Sequence, residues 1–181
     1  MLPRGQQTLL KVEIIDMITL TSEEQAALQQ NLLQDIHEMV GGCTASRDTA
    51  KVMQEEATGN GIQEILKNCV VQMDMGMDLM QAYLSQYDDK GTAATCNALK
   101  PVAEEWKQVD LSAIPKGNLQ DRILASRMVR HSYYAKAGLT HYAAAMATLG
   151  QTEWSERFTQ AVSGIDYAIE AQERIIRGEQ V

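Results

Sequence analysis

Apolar residues recur every three or four positions along most of this chain, and the interruptions fall at turn-forming residues. The longest stripe runs Ile62, Leu66, Cys69, Met73, Met77, Met80 and Leu84, a spacing that puts all seven side chains on one face of a helix. A second stripe runs Leu124, Met128, His131, Ala135, Gly138, Tyr142, Ala145 and Leu149, and a third runs Trp154, Phe158, Ala161, Ile165, Ala168, Ala171 and Ile175. The spacing predicts helices over 60–86, 119–149 and 152–177, with Gly150 as the left-handed residue that ends the second of them.

Upstream, "TSEEQ" at 21–25 offers Thr21 or Ser22 as an N-cap with Glu24 placed to bond back. It opens a helix predicted over 22–40, which Gly41-Gly42 ends, and a short helix follows over 46–57 before the break at "TGNG". Another short helix carries Leu99, Val102, Trp106 and Val109 on one side, and "DLSAIPKGN" is a loop. Four long amphipathic helices with additional short ones, joined by brief turns, predict an all-α antiparallel four-helix bundle. It forms one domain over 21–178, preceded by an N-terminal arm at 1–20 that reads as a strand or an extended dimer contact.

Composition agrees with helix throughout, since the chain holds three prolines and one Phe. At 181 residues it can bury a core large enough to need neither disulfides nor metal for stability. The balance of 16 Lys+Arg against 24 Asp+Glu gives a net charge of −8, which argues against nucleic acid as a partner. Cys43, Cys69 and Cys96 are far apart and odd in number, the pattern of buried free thiols rather than of a disulfide framework. The opening "MLPRGQQTLLKVEIIDMITL" carries Lys11, Glu13 and Asp16 inside its apolar stretch, unlike a signal peptide. No apolar run reaches the roughly 18 to 20 residues of a membrane span. The sequence is therefore read as that of a soluble, cytoplasmic protein with no membrane partner.

Candidate chemistry concentrates in "RHSYYAKAGLTHY" at 130–142. His131 sits on the core stripe, either as a metal ligand or as a buried neutral imidazole bonded to its surroundings. His141 lies ten residues on, about 15 Å along the axis, too far to chelate the same ion. A dimetal bundle needs Glu three residues before its histidines. Here the residues three before His37, His131 and His141 are Gln34, Met128 and Gly138. Inward acids are scarce, with Glu105 the best placed, followed by Asp35 and Asp166. The methionines of "VVQMDMGMDLMQ" suggest copper, but Met73, Met77 and Met80 continue the stripe of Leu66 and Leu84, as core packing would have them. No nucleophile elbow or phosphate-cradling glycine loop is present. Gly76, Gly138 and Gly164 lie inside helices at a cost of about 1 kcal/mol each, either for close helix contact or to leave room for a ligand.

The stretches "TCNALKPVAEEW" and "RMVRHSYYAKAGLTHYAAAMATLGQTEW", followed by a final long helix, resemble the YciE/YciF-type family of ferritin-like bundle proteins. The resemblance covers about 93 to 177 and is carried by Cys96, Ala98, Glu105, Val129, His131, Ala135, Gly138, Leu149 and Gly150; over 22–87 only helix lengths and "LLQD" are similar. It implies a ferritin-like bundle, a homodimer and an iron or manganese centre. Of that ligand set Glu105 and His131 remain, while Arg130, Tyr133, Gly164, Ile165, Val40 and Met73 stand where acids belong. No cofactor is therefore expected. The leading expectation is a non-catalytic, stress-associated or partner-binding bundle with a degenerate metal site. One alternative is an iron or manganese oxidase or carrier using His131 and Glu105. Another is a small-molecule binder with a pocket around Tyr134, Gly138, His141 and Tyr142.

Overall fold

The computed structural model describes residues 20–87, 113 and 115–179. Four helices make up the described fold: α1 (Ser22–Glu56), α2 (Asn60–Ser85), α3 (Asn118–Thr148) and α4 (Thr152–Arg177). The arm at 1–19, the helix expected around Trp106 and Glu105 itself lie outside the described residues.

Thr21 caps α1 as its sequence suggests. Its Oγ1 accepts the Glu24 amide at 3.3 Å, and Glu24 Oε2 accepts the Thr21 amide at 2.8 Å. The expected stop at Gly41-Gly42 and the separate helix over 46–57 are corrected by the structure, in which α1 runs unbroken to Glu56. Two glycines cost a helix about 1 kcal/mol each in propensity, and tertiary packing outweighs that here. Gly42 is buried, Gln29 Nε2 donates to Tyr83 OH at 3.0 Å before the pair, and after it Thr44 Oγ1 lies 3.3 Å from Met77 Sδ and Arg47 bridges to Asp74 at 3.1 Å, so α1 is held along α2 on both sides of the pair. At the end of α3, Gly150 takes φ 73°. The Gln151 amide then reaches Met146 O at 2.8 Å and the Gly150 amide reaches Ala147 O at 3.0 Å, a Schellman closure.

Cross-helix bonds define the topology. Tyr142 to Asp35, Ser46 to His131 and Thr58 to Asp121 run α3 antiparallel to α1, while Gln72 to Gly164 and Tyr83 to Gln151 run α4 antiparallel to α2. The helices therefore point up, down, down and up. α2 ends beside Gln29, near the start of α1, and α3 begins beside Thr58, just past its end. The end of α2 and the start of α3 therefore lie at opposite ends of the bundle, about 40 Å apart.

The junction after α1 is locked by Asp121, a buried carboxylate in the first turn of α3. Its Oδ1 accepts from the Thr58 amide at 3.1 Å and from Thr58 Oγ1 at 3.2 Å. A Cβ on Gly59 would lie 2.5 Å from Asp121 Oδ2, so only bare backbone admits the carboxylate here. Asp121→Ala should cost about 1–3 kcal/mol in urea unfolding, by leaving those donors without their acceptor, and Asp121→Asn, which keeps one acceptor oxygen, should cost less.

The core is two apolar clusters stacked along the axis. One holds Ile62, Leu66, Cys69, Leu124, Met128 and Ile175; the other holds Leu32, Ile36, Cys43, Met80, Tyr83, Met146 and Phe158.

Candidate functional site

Where the two clusters meet, at the level of Ser46 and His131, packing leaves a cavity of about 50 Å³. That is several times the roughly 10–15 Å³ a single water needs. Its walls carry Met39 and Cys43 from α1, Cys69, Met73 and Met80 from α2, and His131 from α3. Among the described residues no carboxylate lines it.

His131 is 1% exposed, and burial lowers its pKa to about 4. Its Nδ1 lies 3.2 Å from Ser46 Oγ. Ser46 Oγ also donates to Gly42 O at 2.9 Å, an arrangement in which Nδ1–H points to Ser46.

The two described thiols do not share this space as a pair. The bridge from Arg47 to Asp74 sets the register of α1 on α2, and from that level Cys43 and Cys69 lie four and five residues away in opposite directions along the axis. At 1.5 Å per residue they are roughly 13 Å apart, beyond disulfide reach or a common ion. Cys69 Sγ accepts from Gln172 Nε2 at 3.1 Å, and burial pushes its thiol up to about 11, an inert form.

Of the residues singled out around the expected pocket, Tyr134 is 48% exposed and the His141 side chain 63% exposed, with His141 Nε2 4.0 Å from Asp35 Oδ2. Neither lines the cavity. Gly138 and Tyr142 are neighbours, since a Cβ on Gly138 would lie 3.8 Å from the Tyr142 hydroxyl, which itself donates to Asp35 O at 2.9 Å. At Gly138 an added Cβ would overlap only the terminal methyl of Met39, so α1 and α3 lie close together there. Glu105 is outside the described residues, so its distance from His131 is not defined. Among the described residues no three of His, Cys, Asp and Glu converge as a metal-binding group.

Gly76 differs from Gly138. Among the described residues an added Cβ there would meet nothing within 4 Å. It lines both the cavity and a groove of about 480 Å³ between α2 and α4, and the two share Gln72, Gly76, Leu139 and Ile165. Met75, 66% exposed, stands in that groove. Cys43 and Ser46 are the site residues that sequence reasoning passed over; their one-turn spacing was visible, but their level against His131 was not.

Fold and site together define an all-α four-helix bundle with a cavity at its centre. A solved structure described as "YcfI, a putative structural protein from Rhodopseudomonas palustris" has the same fold, with a TM-score of 0.74 at 14% identity over 85% of this chain and 98% of that one. No family model matches the chain. No curated protein matches it either. Among the described residues no helix is long and apolar enough to cross a membrane.

Proposed function

We propose that the chain is a non-catalytic binding protein on a ferritin-like bundle, one that takes a guest into its centre instead of a carboxylate-bridged metal pair. Two helical hairpins joined by one long crossover are the ferritin-like arrangement. The observation that carries the reading is that, among the described residues, the cavity beside Gly76 is lined without a carboxylate. Two divalent ions need carboxylates to balance their charge. The positions from which such acids would come hold other residues. Met73 and Ile165 line the cavity, Arg130 is exposed, and Tyr133 faces outward to donate to Glu173 at 2.7 Å. The described residues therefore do not fit a dimetal centre, and no step is routed through one. Anaerobic loading with Fe(II) or Mn(II), desalting and elemental analysis should leave less than stoichiometric metal and no oxidase activity; two ions per chain would refute the reading.

A second reading, partner binding as a homodimer, is favoured by one observation. Val71, Met75 and Tyr167 are 50%, 66% and 72% exposed and line one shallow depression between α2 and α4. An apolar strip of this kind is what a self-complementary contact buries. On this reading wild-type protein elutes as a dimer by light scattering and Tyr167→Glu as a monomer; a wild-type monomer at high concentration would dismiss it.

A further inference from the structure

We propose that the groove between α2 and α4 binds a medium-chain carboxylate, with its head on Arg157 and its tail laid past Gly76 toward the central cavity. The proposal deepens the guest-binding reading and rests on it.

The groove has two walls of matching period. Met75, Gly76 and Leu79 face it from α2, and Arg157, Ala161 and Ile165 face it from α4. The bond from Gln72 Nε2 to Gly164 O at 3.1 Å sets the register of this antiparallel pair. Leu79 stands seven residues after Gln72 and Arg157 seven before Gly164, so the two share a level about 10 Å from that bond. Gly76 lies between.

Chemistry is uneven along that run. At the Leu79 end stands a cation, the Arg157 guanidinium, whose central carbon lies 4.3 Å from the centre of the Trp154 ring. The ring is itself tied down, since Trp154 Nε1 donates to Gln86 at 3.1 Å. Stacking of this kind engages the face of a guanidinium and leaves its in-plane N–H donors for an acceptor, and a carboxylate takes two of them at once. Beyond the cation the walls turn apolar, with Leu79, Ala161 and Ile165 around the exposed thioether of Met75. A guest with an anionic head and an apolar tail matches that order. The groove's volume of about 480 Å³ also lies within the roughly 300–1,000 Å³ of small-molecule clefts.

The tail explains a residue that packing does not. Glycine lowers the helix propensity of α2, yet among the described residues nothing stands where a Cβ on Gly76 would go. Groove and cavity meet at Gly76, and the bare backbone there lets the last carbons of the tail turn inward. The chain's net charge of −8 gives anions no general attraction, so a preference for an anionic head reports on Arg157 itself.

The test is calorimetric titration of the full chain with decanoate, octanoate and decyltrimethylammonium, with methionine methyl NMR and light scattering on the same samples. One decanoate per chain is expected, with the Met75 and Met80 methyls shifted. Octanoate, two methylenes shorter, should bind about tenfold more weakly. Decyltrimethylammonium, with the same tail under the opposite charge, should bind far more weakly than decanoate. Arg157→Gln should weaken decanoate about 10–100-fold and erase that preference. Gly76→Leu should keep the decanoate shift at Met75 and lose it at Met80. Circular dichroism of each variant confirms folding. Absence of decanoate binding, equal binding of the cationic amphiphile, or undiminished binding in folded Arg157→Gln overturns the proposal. A dimer by light scattering whose Met75 methyl ignores decanoate assigns the groove to a second copy and overturns it as well. Xenon separates the failures: if xenon shifts the Met80 methyl and decanoate does not bind, only the carboxylate inference falls, and if neither enters, the guest-binding reading falls with it.

Discussion

Acidifying the protein from pH 7 toward pH 4 should remove roughly 3 kcal/mol of stability through His131 alone. Its folded pKa of about 4 lies below the ordinary 6.5 because burial disfavours the charged ring. Between those values the unfolded chain takes up a proton that the folded chain refuses, so stability falls with pH across that window. Above 6.5 the ring is neutral in both states and the full stability is present; below about 4 it is protonated in both and the loss saturates. Glu24, held down by its bonds to Thr21, and Glu179, held down by Arg177, also withdraw stability in acid. They are present in wild type and His131→Phe alike, so the difference between the two isolates the imidazole. Urea unfolding at pH 7 and pH 4.5 should show a markedly smaller acid loss in His131→Phe. Equal losses in both would mean that the ring is not buried as described.

The second large effect is expected at Phe158. Its ring is 0% exposed and meets Tyr83, Tyr142 and Trp154 edge-on, with centroid separations of 6.2, 6.3 and 6.5 Å. This cluster closes the end of the bundle under a polar lid: Tyr83 OH donates to Gln151 at 2.7 Å and accepts from Gln29 at 3.0 Å, while Trp154 Nε1 donates to Gln86 at 3.1 Å. Removing the ring opens a cavity beneath groups from three helices, and Phe158→Ala should cost about 3–5 kcal/mol in urea unfolding. Phe158→Leu keeps most of the volume and should cost well under half of that. A loss below about 1 kcal/mol for the alanine variant would show that the cluster is not closely packed.

The elements that were legible in the sequence are those governed by local periodicity or local capping. The stripe from Ile62 to Leu84 is buried along its length, with Met73 half-buried, and Thr21 and Gly150 cap as their chemistry dictates. Gly41-Gly42 misled because propensity is a local quantity, whereas α1 is held straight by α2 through Thr44 and Arg47. The site was legible only in part for a similar reason. His131 is marked by its place on an apolar stripe, and it is buried. Which side chains share its level depends on the register between helices, which no spacing within one helix reveals. Cys43 and Met80 therefore went unassociated with it, while Tyr134 and His141, close to it in sequence, face outward. Gly76 and Gly138 show the same limit: one leaves space and the other closes it, and only the neighbouring helix distinguishes them.

Among the described residues the heart of this bundle is lined by sulfur and by no carboxylate, and on the proposed function that space admits a guest. The most direct test is methionine methyl NMR under xenon pressure. The methyls of Met39, Met73 and Met80, which line the space, should shift with xenon, while those of Met53 and Met128, buried in the neighbouring cluster, should stay in place. Five unmoved resonances, or five moved alike, would contradict the account.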